Sequence, residues 1–317
     1  MSNIKDAAFG GERVLRLPSI SELQDFTLNS YKNLLEYLRQ NYRIIPFCEV
    51  DYEDVPYLIL RHDIDISLQD ALKMASLEKD LNVKSTYFIL LSSSFYNIFE
   101  NQNMSIIKRI SEYGHEIGLH YYPAQYMLYN QNPRKTLKAE VQLLEVFLGK
   151  KVRCISRHGP FSRDPFAATR EYMNANHPYL RADLFVHESD RAWTTLEGLS
   201  LLLNNVPKRV QLLVHPENWQ DIKIDRNSLL EKHVKAIEEK LQFIKGDLLV
   251  HYRKDELVTN YEQAIKKPEP AQPNRKSSTQ RQFQANWRSL GSYYFTHSRI
   301  GWNLRELRGK LKDSFLF

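Results

Sequence analysis

Short apolar runs alternate with amphipathic stretches along most of the chain. Residues 57–60 (Tyr-Leu-Ile-Leu) follow Pro56 and precede a polar cluster at 61–65, a pattern typical of a buried parallel strand. Comparable apolar runs predict further strands at 85–91, 115–120, 152–156 and 210–215. Apolar residues at helical spacing predict helices at about 19–40, 67–81, 105–113, 133–148 and 227–244.

This alternation of strand and helix indicates an α/β fold built from parallel βαβ units. Such units close into a barrel or form an open, doubly wound sheet, and in both folds ligands bind at the carboxyl ends of the strands. Four of the predicted strands end in or just before His or Asp. We therefore expect the functional site at that edge of the sheet.

The pattern changes near residue 265. Residues 266–282 contain three prolines and almost no apolar side chains, which is typical of a linker. The chain therefore divides into an N-terminal extension (1–20), an α/β domain (21–265), a linker (266–283) and a C-terminal tail (284–317). A short amphipathic helix is predicted in the tail from four apolar residues at helical spacing, namely Leu304, Leu307, Leu311 and Phe315.

Charge sets the tail apart from the domain. The chain as a whole has 26% charged residues and a net charge of +6. Residues 266–317 hold eleven Lys/Arg against three Asp/Glu and so carry +8, which leaves −2 on residues 1–265. The basic tail suits contact with an anionic membrane surface or a protein partner, or it covers the barrel as an ordinary helix. The domain lacks the basic face of a specific nucleic-acid-binding protein.

The first residues and the cysteines bear on the compartment. The N-terminus lacks the apolar core of a secretory signal, and no apolar run approaches the roughly 20 residues that cross a bilayer. We therefore expect a cytoplasmic protein that is either free or peripheral to the inner face of the membrane. Cys48 and Cys154 form no CxxC motif, and we interpret both as buried thiols.

Two aspartates follow the strand at 57–60. Asp63 and Asp65 are two residues apart, so strand alternation directs both to the same face. Two convergent carboxylates repel each other unless a cation offsets the charge. The alternative is that one aspartate caps the next helix while the other is solvated. A divalent metal would explain the pair, with one aspartate as ligand and the other as base toward water.

Histidines occupy the equivalent places on three other predicted strands. His120 ends the strand at 115–120, and His158 and His215 follow the strands at 152–156 and 210–214. A set of one Asp and two His leaves an open position on a metal such as zinc, which is suited to hydrolysis of an amide or ester. No GxSxG, GxGxxG or GxxxxGK[ST] motif offers a competing chemistry.

Five segments, in order, resemble the motifs of the NodB-like polysaccharide deacetylases, in particular an HDxD branch associated with bacterial surface-polysaccharide biosynthesis. They lie within residues 20–255 and read LRHDID (60–65), GHEIGLH (114–120), SRHGP (156–160), SDRAW (189–193) and LLVHPENW (212–219). The resemblance implies a distorted barrel of about seven strands and a divalent metal, most often zinc.

The resemblance also implies roles for individual residues. Asp63 would be the base and Asp65 a metal ligand, although the two could exchange roles. His120 would be the first metal histidine and His215 the general acid. From the SDRAW segment, Asp190 would orient His215 and Trp193 would wall the acetyl pocket.

The chain departs from the family pattern at one metal position. The second metal histidine of the family lies four residues after the first, where this chain has Ala124. We therefore expect His158 to replace it and the neighbouring Arg157 to orient the base. His62 is expected to contact substrate, and the role of Arg61 is left open.

The resulting hypothesis is a metal-dependent hydrolase that removes an acetyl group, from nitrogen or from oxygen, from a saccharide precursor of a surface polysaccharide such as O-antigen. The first alternative is a metal-free, non-catalytic saccharide-binding or scaffold protein, which Ala124 favours. A second alternative is hydrolysis of a cyclic amide by the same chemistry on the same barrel.

Overall fold

The structure is a computed structural model that describes residues 16–50, 56–159, 166, 169–177, 180 and 182–252. The chain forms two compact units. The first comprises Met1–Pro123 and Asn132–Asp225, and it holds the whole sheet. The second comprises Ala124–Gln131 and Arg226–Phe317, and its described part is mainly one long helix. The predicted linker (266–283) and tail (284–317) lie outside the described residues.

Helices and strands alternate over most of the first unit. The strands are β1 (Arg43–Ile45), β2 (Tyr57–Ile64), β3 (Thr86–Leu90), β4 (Glu116–Tyr121), β5 (Cys154–Arg157), β6 (Met173–Asn174), β7 (Leu184–Ser189), β8 (Ala192–Trp193) and β9 (Arg209–Val214). The helices are α1 (Ile20–Leu23), α2 (Leu28–Leu38), α3 (Leu68–Asp80), α4 (Asn101–Glu112), α5 (Pro123–Leu128), α6 (Pro133–Leu148), α7 (Leu196–Leu203) and α8 (Arg226–Tyr252).

The strands form one mixed sheet in which most neighbours run parallel. The order is β6-β5-β4-β3-β2-β9-β7-β8, with β1 paired to β2 outside this path. Each pair from β6 to β7 is parallel, and β8 returns antiparallel to β7. The path thus contains seven parallel strands among the described residues, and their carboxyl ends meet at one edge.

The sheet is curled, and this brings distant strands together. Gln211 on β9 donates from Nε2 to the carbonyl oxygens of Ala175 (3.2 Å) and Leu180 (2.6 Å), which follow β6 at the far end of the strand order. Arg61 on β2 reaches Ser156 on β5, two strands beyond its neighbour β3. The predicted α/β barrel class is thus confirmed as a curled, half-barrel sheet.

Strand alternation separates two layers of side chains on β2. Tyr57 and Ile59 face the interior, where they pack with Phe88 and Cys154. Leu58 and Leu60 face outward into the larger hydrophobic cluster beneath α2 and α3. All eight residues of β2 are buried, because both faces of the strand are covered. The residues that follow on the inner face are Arg61 and Asp63, and they begin the polar site.

Several sequence expectations need correction. The predicted helix at 227–244 is longer than expected, because α8 runs from Arg226 to Tyr252. Strand β7 and helix α7 were not predicted, although β7 lies beside β9 in the sheet. Cys154 is buried as expected, whereas Cys48 is exposed. Over the described part of the chain, no helix combines the length and the apolar character needed to cross a membrane.

Candidate metal and active site

Three side chains converge at the carboxyl edge of the sheet. Asp65 Oδ1 lies 3.3 Å from His120 Nε2 and 3.1 Å from His158 Nδ1. The two histidine nitrogens are 3.1 Å apart. Asp65 follows β2, His120 lies on β4 and His158 follows β5, so each residue comes from a different parallel strand. The structure thus brings together the three residues expected to bind metal.

The hydrogen bond of His120 fixes which of its nitrogens faces the cluster. His120 Nδ1 lies 3.0 Å from the carbonyl oxygen of Ser156. A carbonyl oxygen can only accept, so Nδ1 carries the proton and Nε2 of the neutral ring presents its lone pair toward Asp65. Such a bond to the far nitrogen is the usual support of a metal-binding histidine.

The donor set and its spacing fit a divalent cation. One carboxylate oxygen and two imidazole nitrogens are the ligands of many zinc sites, and in a tetrahedral site such atoms lie roughly 3.3–3.6 Å from one another. The three observed separations of 3.1, 3.1 and 3.3 Å are within a few tenths of an ångström of that range. Asp65 Oδ1 is also buried without a hydrogen bond. These three residues therefore fit a small metal ion.

Asp63 lies beside this cluster but has different partners. Its Oδ2 accepts from Arg61 Nη2 at 2.7 Å and from Ser156 Oγ at 3.2 Å, whereas Oδ1 is buried without a hydrogen bond. His120 Nε2 lies 3.8 Å from Oδ2. One oxygen of Asp63 is thus held in place and the other is left as an acceptor.

The arginine that orients Asp63 is Arg61, which corrects the expectation for Arg157. Arg61 also donates to Ser156 Oγ (2.9 Å) and Gln211 Oε1 (3.0 Å), and its side chain is 2% exposed. Arg157 pairs with Tyr121 in the sheet, and strand alternation puts it on the face opposite to Ser156. The arginine expected from the sequence thus lies on the face of the strand opposite to the one that faces Asp63.

His215 follows β9 and is held by a buried glutamate. Glu188 Oε1 accepts from the backbone N–H of His215 at 2.6 Å, and the Glu188 carbonyl oxygen lies 3.0 Å from His215 Nδ1. Glu188 also accepts from Asn218 Nδ2 at 2.7 Å and is fully buried. Because Nδ1 donates to a carbonyl, Nε2 is the nitrogen of His215 left for a substrate.

Glu188 therefore makes the contacts that were expected of Asp190. Asp190 lies at the turn between β7 and β8, where its φ of 54° is in the left-handed region. The chain reverses there, and the carboxylate that supports His215 comes two residues earlier, from the strand itself.

Opposing charges set the protonation of these groups. Burial raises the pKa of Asp63, but the charges of Arg61, His120 and His215 outweigh it, and the net pKa is lowered. Burial likewise raises the pKa of Asp65, yet His158 and His120 bring it well below its usual range.

The pKa values of the histidines move the other way. Burial lowers the pKa of His158, but Asp65 and Asp63 raise it above the usual value. Burial also lowers the pKa of His215, but Glu188 and Asp65 together raise it well above the usual value. The surrounding charges thus favour the ionised form of the two carboxylates and the protonated form of His158 and His215 when no metal ion is bound.

His62 does not reach the site, which corrects its expected contact with substrate. Its side chain is fully buried on the outer face of β2, with Nε2 2.7 Å from Glu78 Oε1 on α3 and its ring centroid 4.4 Å from that of Tyr87. Glu78 also accepts from Ser85 Oγ at 2.6 Å and from Tyr31. His62 therefore belongs to a second polar cluster, on the other side of the strand.

Trp193 is likewise a core residue and not a wall of an acetyl pocket. Its ring packs against Phe26 and Trp219, with centroid separations of 6.1 Å to each, and its Nε1 donates to the Leu23 carbonyl at 3.3 Å. The short hairpin formed by β7 and β8 carries this side chain into the hydrophobic cluster outside the sheet.

Two contributors to the site were not predicted from the sequence. Ser156 anchors His120, Arg61 and Asp63 at once, and its place two residues before His158, on the same face of the strand, was the available signal. Glu188 belongs to none of the five motif segments, and its strand, β7, was not predicted. Ala124, at the position of the family's second histidine, lies in α5.

Neither a protein-family model nor a curated protein matches the chain. Several solved structures are similar to it. The catalytic domain of a peptidoglycan N-acetylglucosamine deacetylase from Eubacterium rectale is 13% identical, with a TM-score of 0.38 over 60% of this chain and 87% of its own. Peptidoglycan deacetylase PdaC from Bacillus subtilis is 16% identical, with a TM-score of 0.37 over 64% of this chain and 100% of its own.

A CE4 family pseudoenzyme from Bacillus anthracis is also similar, at 15% identity and a TM-score of 0.35, over 59% of this chain. The chain spans 62% of that protein's length. The similar structures thus include two peptidoglycan deacetylases and a pseudoenzyme of the CE4 family. Likeness at this level assigns no activity to this chain.

Proposed function

We propose that this protein is a metal-dependent hydrolase that removes an acetyl group from a saccharide. The observation that carries the proposal is the convergence of Asp65, His120 and His158 to within 3.3 Å of one another, with Asp63 beside them. Such a cluster of ligands with an adjoining carboxylate suits hydrolysis of an amide or ester. We further propose that the metal is zinc and that the substrate is a precursor of a surface polysaccharide.

A divalent cation bound by Asp65, His120 and His158 would supply a Lewis acid that polarises the acetyl carbonyl. Asp63 would act as the base. Its Oδ2 is held by Arg61, and its Oδ1 remains free to accept a proton from the attacking water. Ser156 fixes the direction of that carboxylate through the 3.2 Å hydrogen bond.

His215 would be the acid. As water adds to the carbonyl carbon, the bond from that carbon to the sugar nitrogen or oxygen must break, and the departing atom needs a proton. The Nδ1 of His215 is held by the Glu188 carbonyl, so Nε2 can donate that proton. The products are acetate and a free amine or hydroxyl on the sugar.

Metal content and acetate release test this proposal together. We expect purified protein, supplemented with zinc, to bind about one metal ion per chain. The variants Asp65→Ala, His120→Ala and His158→Ala are expected to lose both the metal and acetate release from N-acetylated and O-acetylated saccharides. Asp63→Asn is expected to keep the metal and lose activity.

Asp183→Ala is the matched control. Asp183 pairs with Arg209 at the amino end of β9, whereas the metal-binding cluster lies at the carboxyl ends of the strands. It should keep both metal and activity. A wild-type protein that binds no metal after supplementation would overturn the hydrolase and leave the non-catalytic saccharide-binding alternative. Release of ammonia or ring-opened product from a cyclic amide, without acetate release, would favour that chemistry instead.

A further inference from the structure

The loop that follows β3 is attached to the backbone next to the metal site. Tyr96 Oη donates to the carbonyl oxygen of Ile64 at 2.7 Å and accepts from the backbone N–H of Leu90 at 3.0 Å. Ser93 Oγ donates to the carbonyl oxygen of Asp65 at 2.9 Å. Two consecutive carbonyl groups of the metal-binding segment are thus held by side chains of one loop.

The same serine also fixes the residue beside it. Ser93 Oγ accepts from the backbone N–H of Phe95 at 3.1 Å. Phe95 is therefore joined to the Asp65 backbone through a single hydroxyl group. Loops are usually mobile, but these hydrogen bonds give this one a fixed position at the carboxyl edge of the sheet.

Phe95 is exposed although its neighbour is not. Its side chain is 46% exposed, whereas Tyr96 is 7% exposed and packs into the protein. Phe99, in the same connection, is also exposed at 54%, but its ring meets Phe147 of α6 at a centroid separation of 6.3 Å. The hydrogen bonds thus fix the backbone of one exposed phenylalanine, Phe95, next to the backbone of Asp65, whereas the ring of the other, Phe99, packs on α6.

We propose that Phe95 is a saccharide-binding residue, whose ring packs against the apolar C–H face of a pyranose next to the acetylated sugar. The inference rests on the proposed function for its substrate class. An aromatic residue has few rotatable bonds, and one whose backbone is held in place before binding loses less conformational entropy on contact, which favours affinity. Phe95 would then contribute to the binding of the saccharide and not to the chemical step at the acetyl group.

Three full-length variants test this role. Phe95→Ala removes the ring, Phe95→Tyr keeps an aromatic ring, and Phe99→Ala removes an equally exposed ring from the same connection. Wild-type protein is first applied to an array of bacterial and synthetic glycans. The dissociation constant of the strongest glycan is then measured by calorimetry for each variant in the presence of zinc. Every protein compared, including the one with Phe95 and Phe99 intact, carries Asp63→Asn so that the metal stays bound and hydrolysis is prevented. Hydrolysis of 4-nitrophenyl acetate, with zinc, reports on the chemistry at a small acetyl group.

We expect Phe95→Ala to weaken glycan binding about tenfold, and Phe95→Tyr and Phe99→Ala to change it less than about twofold. Hydrolysis of 4-nitrophenyl acetate should fall by a smaller factor in Phe95→Ala than glycan affinity does, and it should be unchanged in Phe99→Ala. The melting temperature of Phe95→Ala should match that of Phe95→Tyr. Equal effects of Phe95→Ala and Phe99→Ala, no effect of Phe95→Ala, or a wild type that binds no glycan would overturn the role of Phe95. Phe95-dependent binding without acetate release from any saccharide would instead reject the hydrolase and keep this inference.

Discussion

Arg61 and Asp63 form an ion pair inside the curled sheet, with 2.7 Å between Nη2 and Oδ2 and side-chain exposures of 2% and 4%. The two residues lie on the same face of one strand, so the pair is set by the alternation of β2 alone. The guanidinium thereby keeps the base of the proposed reaction ionised and oriented.

Replacement of Arg61 by Gln is expected to destabilise the fold and to shift activity. A buried carboxylate that loses its partner costs about 3–5 kcal/mol of unfolding free energy. The pKa of Asp63 should rise, so the acidic limb of the pH–rate profile should move to higher pH. Urea unfolding and acetate release between pH 4 and 8 measure both effects. Arg209→Gln, which breaks the exposed pair with Asp183, should cost about 0–1 kcal/mol and leave the limb in place.

Replacement of Glu188 by Gln should shift the alkaline limb of the pH–rate profile. Glu188 raises the pKa of His215, and the proposed acid must be protonated, so activity should persist up to the raised pKa and be lost above it. The neutral amide removes that charge and lowers the pKa of His215. The alkaline limb should therefore move to lower pH, as measured by acetate release between pH 6 and 10. The same limb in Glu188→Gln and in the surface variant Glu197→Gln would refute this role.

Loss of the Tyr96 hydroxyl should lower the affinity for zinc strongly and the stability of the fold only slightly. Tyr96→Phe removes the acceptor of Leu90 N–H and the donor to Ile64 O, directly before Asp65. Supporting interactions of metal ligands typically change affinity about 10- to 100-fold, and we expect a loss in that range for zinc. Competition with a chromophoric chelator measures it.

Tyr42→Phe is the matched control for this variant. It removes a hydroxyl that donates to the Pro207 carbonyl at 2.8 Å, at the opposite end of the strands. A similar stability loss of about 1 kcal/mol is expected in both variants, with zinc affinity changed only by Tyr96→Phe. Equal zinc affinities would show that the loop merely stabilises the fold.

The buried polar cluster around Glu78, on the outer face of β2, should make the fold less stable in acid. Burial raises the pKa of Glu78, but His62 and the other hydrogen bonds lower it from the usual 4.5 to about 2. A carboxyl whose folded-state pKa is depressed stabilises the fold above its unfolded pKa, and this stabilisation is lost as the pH falls toward 2. Its size is roughly 3 kcal/mol. Burial lowers the pKa of His115, which acts in the same direction below its usual 6.5.

Urea unfolding of the wild type and of Glu78→Gln between pH 7 and 3 measures this effect. The wild type should lose stability over this range, and the variant should start lower and depend less on pH. Glu36→Gln, which removes the partly exposed partner of Lys32, should follow the wild type. Parallel curves for wild type and Glu78→Gln would locate the acid sensitivity elsewhere.

Much of the site followed from one regularity of the sequence. Because side chains alternate along a strand, the spacing of Asp63 and Asp65 was enough to predict that they face the same way. The same rule, applied to His62 and Arg157, would have excluded both from the inner face. These two expectations came from the resemblance and from proximity in sequence, and the geometry corrected them.

The remaining errors arose where the chain turns. Asp190 and Arg191 both have positive φ, of 54° and 59°, and neither is a glycine, so no residue marked this hairpin in the sequence. Its reversal carries Trp193 to the outer cluster and leaves Glu188 as the partner of His215. Such contacts depend on tertiary packing, which local pattern does not determine.

Consecutive residues of β2 serve two polar clusters on opposite faces, and this limits how the strand can change over evolution. Deletion of one residue between 57 and 61 would move His62 to the inner face and place Asp63 beneath α3, where Glu78 would repel it. Both clusters would be lost in a single step. Divergence at this strand is therefore restricted to substitutions that keep its length, while insertions and deletions can accumulate in the loops around it.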